Sequence, residues 1–301
     1  MLIAKRTTPL YVIALFTVLH CGLTASNKAQ AQESVATNPG LPGGTERDIS
    51  KSPGYSSSLE AQGGLIDTTE SLAAPQIKMN RRAEKFVADY LSRNREDLQK
   101  VQKRSAQYFP KIDAVFRNHG LPLQLKYLAV IESELNTSAV SPVGAVGLWQ
   151  FMPQTARYLG LKVSSRTDER KQLKKSTVAA ARYVKTLYHQ FDDWLLVIAA
   201  YNSGAGPVFS AIKKAGSRDF WKLQQYLPAE TRAHVKRYIG AHYFFETEGS
   251  LTTLTKAETT TYLNALAEHQ ESMKVISEIK AGFAEDVSLQ VKGDGATVAV
   301  K

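Results

Sequence analysis

The chain has 301 residues, 43% of them hydrophobic and 22% charged, with a formal net charge of +10. That composition supports a globular protein with a real core and excludes a wholly disordered chain. A basic surface favours polyanions in general. However, the chain has no zinc-ligand spacing, no basic-aromatic RNA motif and no G-x-G-x-x-G, which leaves nucleic-acid binding without support.

Residues 1–31 have the layout of a secretory signal peptide. Lys5 and Arg6 precede an apolar run over residues 10–19 (LYVIALFTVL), and Ala29-Gln30-Ala31 forms an A-x-A site. The run is too short to cross a bilayer, and cleavage is expected near Ala31. The only cysteine, Cys21, lies inside this stretch. Membrane contact is expected only through lipidation of Cys21. His20 disfavours that, because it stands where a lipid-attachment signal needs a small residue. Cleavage would leave a basic chain with no cysteine, so stability must come from packing rather than disulfides. For a secreted basic protein, cell-wall polymer or lipid headgroups are better partners than nucleic acid.

Residues 32–78 are rich in Ser, Gly, Thr, Ala and Pro, with few large apolar side chains. They read as a flexible linker. Residues 79–249 carry helical periodicity and no strand pattern, so this domain is expected to be all-α. Phe86, Val87, Tyr90 and Leu91 share one face, as do Leu98, Val101 and Tyr108. Pro110 is expected to interrupt, leaving a short helix over residues 112–116 that ends near Asn118 and Gly120. Pro122 suits the first turn of the next helix, and Pro153 opens a helix that stops at Gly160. Residues 168–175 read as a charged surface run, with Ser176 as N-cap of a helix reaching Tyr188. Residues 194–201 (WLLVIAAY) are apolar all round, as a central buried helix should be. Further helices are expected over residues 208–215, 220–226 and 230–245. Residues 250–301 form a tail: a helix over 263–279, then a hairpin in which Val287, Leu289, Val291, Val298 and Val300 alternate around Gly293-Asp294-Gly295.

The helix after Pro122 places Leu125, Leu128 and Leu135 on one face, and Glu132 occupies the remaining position of that stripe. An unpaired ionised carboxylate there costs several kcal/mol. Either a cation such as Lys126 or Arg157 pairs with Glu132, or the carboxyl does acid–base work. Ser133, Asn136 and Ser138 put hydrogen-bonding groups nearby, and a glycine-rich loop follows. Glu134, about 200° round an ideal helix, is expected to face away. Asp168, Asp192, Asp193 and Glu230 are candidate second carboxylates, each also readable as a surface residue or cap. Gln150 in Gly147-Leu148-Trp149-Gln150-Phe151-Met152-Pro153 reads either as part of a turn before core aromatics or as a polar finger in a ligand pocket. Tyr201 and Asn202, where the buried helix emerges, either cap it or face the same cleft.

Glu132-Ser133, SPVGAVGLWQFMP (residues 141–153) and AYNSG (residues 200–204) resemble, in this order, the three motifs of the lytic transglycosylases that share the goose-type lysozyme fold. The tryptophan of GLWQFMP is most like the type D branch. The resemblance covers roughly residues 81–245. It implies cleavage of the β-1,4 bond between N-acetylmuramic acid and N-acetylglucosamine in the periplasm or at the outer membrane. It further implies peptidoglycan strands as substrate, wall-synthesis or remodelling proteins as partners, and neither cofactor nor metal. By the same resemblance Glu132 is the single acid/base. It first protonates the glycosidic oxygen, then accepts a proton from the muramoyl C6 hydroxyl as the 1,6-anhydro ring closes. Ser133, Ser141, Gln150, Met152, Tyr201 and Asn202 would line the groove, with Tyr201 hydrogen-bonded to Glu132. LPAETRAHVKRY (residues 227–238) resembles the family's ETR-x-Y-V segment, but His234 replaces its tyrosine. No LysM repeat is recognisable in the tail. Alternatives are a hydrolytic muramidase of the same fold and a non-catalytic wall-binding scaffold.

Overall fold

The computed structural model describes residues 73–293. The expected signal peptide, Cys21, most of the expected linker, Val298 and Val300 lie outside them. Every regular element among the described residues is helical. In chain order these are α1 (Arg81–Asn118), α2 (Tyr127–Ser133), α3 (Pro153–Tyr158), α4 (Leu173–Phe191) and α5 (Trp194–Ser203). They are followed by α6 (Ala205–Ala215), α7 (Phe220–Leu223), α8 (Ala229–Glu246) and α9 (Lys256–Gly293). Short 3-10 turns precede α2 at Leu123–Lys126 and α4 at Glu169–Lys171. None of the described helices is long and apolar enough to cross a membrane.

The all-apolar helix α5 is central. Leu195, Leu196, Val197 and Ile198 are wholly buried, each contributing roughly 1.5–3 kcal/mol. Helices α4, α6 and α8 pack around it, and α1 lies across α8 and α4. The α1–α8 crossing is close because Gly240 has no side chain. A Cβ there would sit 2.8 Å from the Tyr90 ring. This approach fixes Tyr90 beside the cleft described below.

Four local expectations differ from the structure, the first three because of tertiary packing. First, α1 runs unbroken through Pro110. Proline removes one helical hydrogen bond at a cost of about 3 kcal/mol, but a break there would withdraw Ile112 and Phe116, both fully buried, from the core. Second, residues 168–175 are not all surface, since Glu169 and Arg170 are buried. Third, Ser176 lies inside α4, wholly buried, with its hydroxyl donating back to the Gln172 carbonyl at 2.9 Å, and Gln172 occupies the N-cap. Fourth, Val287, Leu289 and Val291 belong to α9, whose backbone stays helical through Gly293, so no strand forms there.

Two buried titratable groups brace the far side of the core. Asp193 caps α5, accepting from the Leu196 amide at 3.1 Å and the Lys256 amide at 2.6 Å. Burial nevertheless pushes its carboxyl up to about 6. His242, wholly buried against the Ser250 hydroxyl at 2.8 Å, is pushed by burial down to about 4. The signs oppose. Folding tightens the Asp193 proton, so that stabilisation is lost as pH rises from about 4 to about 6. Folding loosens the His242 proton, so that stabilisation is lost as pH falls from about 6.5 to about 4. Each term is on the order of 3 kcal/mol, and they largely cancel. Asp193→Asn is therefore expected to melt progressively earlier as pH falls from about 6 to about 4, and His242→Gln progressively later, relative to the parent chain. Thermal midpoints across that range check this; parallel curves for all three proteins would refute it.

Candidate active site

Glu132 closes the last turn of α2, and the helix ends one residue later. Glu134 caps it in the left-handed conformation (φ 53°), followed by Leu135, also left-handed (φ 62°). This reversal turns the Leu135 side chain back into the core, where it is fully buried. It also removes Glu134 from helical geometry: rather than facing away, Glu134 is exposed and lines the same cavity as Glu132.

The cavity has a volume of about 420 Å³. The end of α2 supplies Glu132 and Ser133, the following loop Asn136, Ser138 and Gln150, α1 Tyr90, Asn94 and Asp97, and α8 Glu230 and Arg237. Of its four carboxylates Glu132 alone is buried, with its side chain 4% exposed. Glu230 is ion-paired with Arg237, and Asp97 is paired with Lys100 at 2.8 Å on the surface. The other candidate carboxylates are occupied elsewhere. Asp168 pairs with Arg170 at 2.7 Å, whose hydrogen bonds hold its carboxyl below the usual range, and Asp192 pairs with Lys256.

Neither expected cation pairs with Glu132. Lys126 reaches Asp113 at 3.4 Å, and Arg157 donates to the Val163 carbonyl. The partner is His234 on α8, wholly buried, with Nε2 2.9 Å from Oε1 of Glu132. The expected hydrogen bond from Tyr201 is not made. Its hydroxyl donates to the Trp149 carbonyl at 2.8 Å. Burial, and then the nearby Glu132 charge, raise that phenol well above its ordinary value. Tyr201 therefore acts as a neutral strut beneath the loop.

The loop between α2 and α3 is held from three sides. Ser133 Oγ donates to the Leu148 carbonyl at 2.8 Å, and Trp149, fully buried against Phe116, donates to Thr177 at 3.1 Å. The buried Arg170 guanidinium donates to the carbonyls of Gly144 at 3.0 Å and Phe151 at 2.9 Å. These contacts hold Gln150 left-handed (φ 48°), a conformation costing about 1–2 kcal/mol. Its side-chain amide donates to the Gly147 carbonyl at 2.8 Å.

Of the expected groove residues, Ser133 and Gln150 line the cavity with Glu132. The other four do not. Ser141 is buried and accepts from the Ala145 amide at 2.9 Å, and Met152 is the half-buried N-cap of α3. Tyr201 supports the loop, and Asn202, buried at the end of α5, accepts from the Thr231 hydroxyl at 2.9 Å. Tyr90, which the sequence places only on the apolar face of α1, also lines the cavity, together with Asn94, Asp97 and Arg237. They belong to helices remote in sequence from the motifs, and no local signal distinguishes them from other residues of amphipathic helices.

Residues 112–224 match the family model described as Transglycosylase SLT domain. Over 168 residues the chain is 38% identical to membrane-bound lytic murein transglycosylase D of Escherichia coli (strain K12), a match covering 54% of this chain and 36% of that protein. It is 34% identical over 134 residues to a protein of Alteromonas sp. (strain M-1) named for tributyltin chloride resistance, covering 44% of this chain and 65% of that one. Among solved structures, the 70 kDa soluble lytic transglycosylase of Escherichia coli aligns with 57% of this chain and 32% of its own, at 23% identity and a TM-score of 0.42. The chain thus spans little more than a third of the type D relative. Glu132, Ser133, Gln150 and the loop that presents them all fall within the segment of this chain that is similar to the transglycosylase SLT domain.

Proposed function

We propose that this chain is a peptidoglycan lytic transglycosylase of the cell envelope. It cleaves the β-1,4 bond between N-acetylmuramic acid and N-acetylglucosamine and leaves a 1,6-anhydromuramoyl end. The observation that carries this reading is Glu132: a single buried carboxylate, unpaired by Lys or Arg, opening into a 420 Å³ cavity. Glu132 donates its proton to the glycosidic oxygen as the bond breaks. It then accepts the proton of the muramoyl C6 hydroxyl as that oxygen closes on C1, which returns the carboxyl to its starting state. No water is consumed. Ser133 and Gln150 sit beside the carboxylate at the sugar-facing wall, and Trp149 and Tyr201 hold that wall in place. The substrate is the glycan strand. An address in the periplasm or at the outer membrane, and encounters with wall-synthesis proteins, follow from the same reading.

A hydrolytic muramidase is the second reading. It draws on Asp97, Glu134 and Glu230, which line the same cavity, because hydrolysis of this bond ordinarily needs a second carboxylate. Mass spectrometry of purified peptidoglycan digested with the protein separates the two. Muropeptides lighter by one water than hydrolysis products are expected. Reducing ends alone would establish the muramidase and overturn the transglycosylase.

A further inference from the structure

We propose that His234 is a positioning residue for the reaction proposed above, on which this inference rests. Its Nε2–H anchors Oε1 of Glu132, so that Oε2 is the oxygen that gives and retakes the proton. His234 lies on α8, outside residues 112–224 and 102 residues from Glu132 in sequence. Both partners are inaccessible, the histidine wholly and the glutamate side chain 4% exposed.

The unpartnered ring nitrogen identifies the tautomer. His234 Nδ1 is buried and has no hydrogen-bond partner among the described residues. In a neutral imidazole one nitrogen donates and the other accepts. A buried N–H without an acceptor costs more than an empty lone pair. The proton therefore belongs on Nε2, where it points along the 2.9 Å line to Oε1. Oε2 makes no hydrogen bond to a described residue, while Glu132 lines the cavity. One oxygen is tied to the protein and the other faces the substrate. Rotation that exchanged them would break the anchor.

The anchor itself is rigidly mounted. Thr231, one turn before His234 on α8, is buried and donates to Asn202 at the end of α5 at 2.9 Å. This bond ties the histidine's helix to the core helix. Because one oxygen serves both halves of the reaction, its placement enters both barriers. Displacement by about 1 Å costs on the order of 100-fold in rate.

The test uses the full chain with three readouts. His234→Phe fills the site without a donor and is expected to lower kcat about 100-fold with KM changed less than about 3-fold. His234→Gln places an amide N–H near the Nε2 position and is expected to stay within about 10-fold of the parent kcat. Imidazole ¹⁵N spectra of the parent chain are expected to show His234 protonated on Nε2, with a signal that moves in Glu132→Gln. A fully active Phe variant, a loss confined to KM, no rescue by Gln, or a proton on Nδ1 would each overturn the anchor. Should His234→Phe fail to fold, the Gln variant and the spectra still decide. Should the parent chain yield no anhydro product, the function proposed above falls, while the spectra still judge the anchor by itself.

Discussion

Replacing Glu132 by Gln is expected to reduce release of anhydromuropeptides about 10⁴-fold, the upper end for loss of a general acid–base. The reduction lies at that end because, in the proposed reaction, one carboxyl serves as acid and then as base, and the amide does neither. The fold should survive. Gln keeps an oxygen within 2.9 Å of His234 Nε2 and preserves the volume at the end of α2. Stability should change by no more than about 1 kcal/mol, and binding to insoluble peptidoglycan should remain. Sacculus pull-down, thermal melting and muropeptide analysis on the same preparation separate the three properties. Activity within about tenfold of the parent would remove Glu132 from the role given to it and point to another carboxylate of the cavity.

Gly147→Ala is expected to destabilise the chain by about 3 kcal/mol and to abolish turnover with it. Gly147 sits at φ 86°, and a Cβ there would lie 2.1 Å from the Arg170 carbonyl oxygen. Left-handed strain contributes about 1–2 kcal/mol, and displacing backbone contributes a further 1–3 kcal/mol, roughly. For a domain of this size the midpoint should fall by about 8 °C. The loop that moves carries Gln150 and receives Ser133, so the cavity wall moves with it. Gly144→Ala is the internal control. Its φ is 88°, but no atom lies within 4 Å of the added carbon, so only strain remains and the midpoint should drop by about 3 °C. Equal midpoints for the two variants would show that the Arg170 contact does not confine the loop.

Arg170 shows why the site was only partly legible. In sequence it stands in a run of charges whose ordinary place is the surface. In the fold its guanidinium finds Asp168 and two loop carbonyls, which together satisfy a buried cation. Local reading weighs a residue by its own chemistry. Burial of a charge depends on partners that only packing supplies. The Pro110 expectation failed for a related reason, since the cost of one missing hydrogen bond is local while the gain from Ile112 and Phe116 is not.

What the sequence by itself determined was the local part: the all-apolar helix α5, the helical ends near Asn118 and Gly160, and the glycines of the loop beside three ordered motifs. These follow from periodicity, capping and backbone freedom, which act over a few residues. Tertiary structure alone decided what touches Glu132. The partner is His234 rather than Tyr201, Lys126 or Arg157, because α8 crosses α2 at that level. Tertiary structure also decided that Tyr90 and Arg237, from the first and eighth helices, wall the cavity, because Gly240 lets α1 approach α8. A hydrogen bond between residues 102 apart leaves no periodicity along the chain. It exists because the helices, once folded on α5, bring two buried polar atoms to within 2.9 Å.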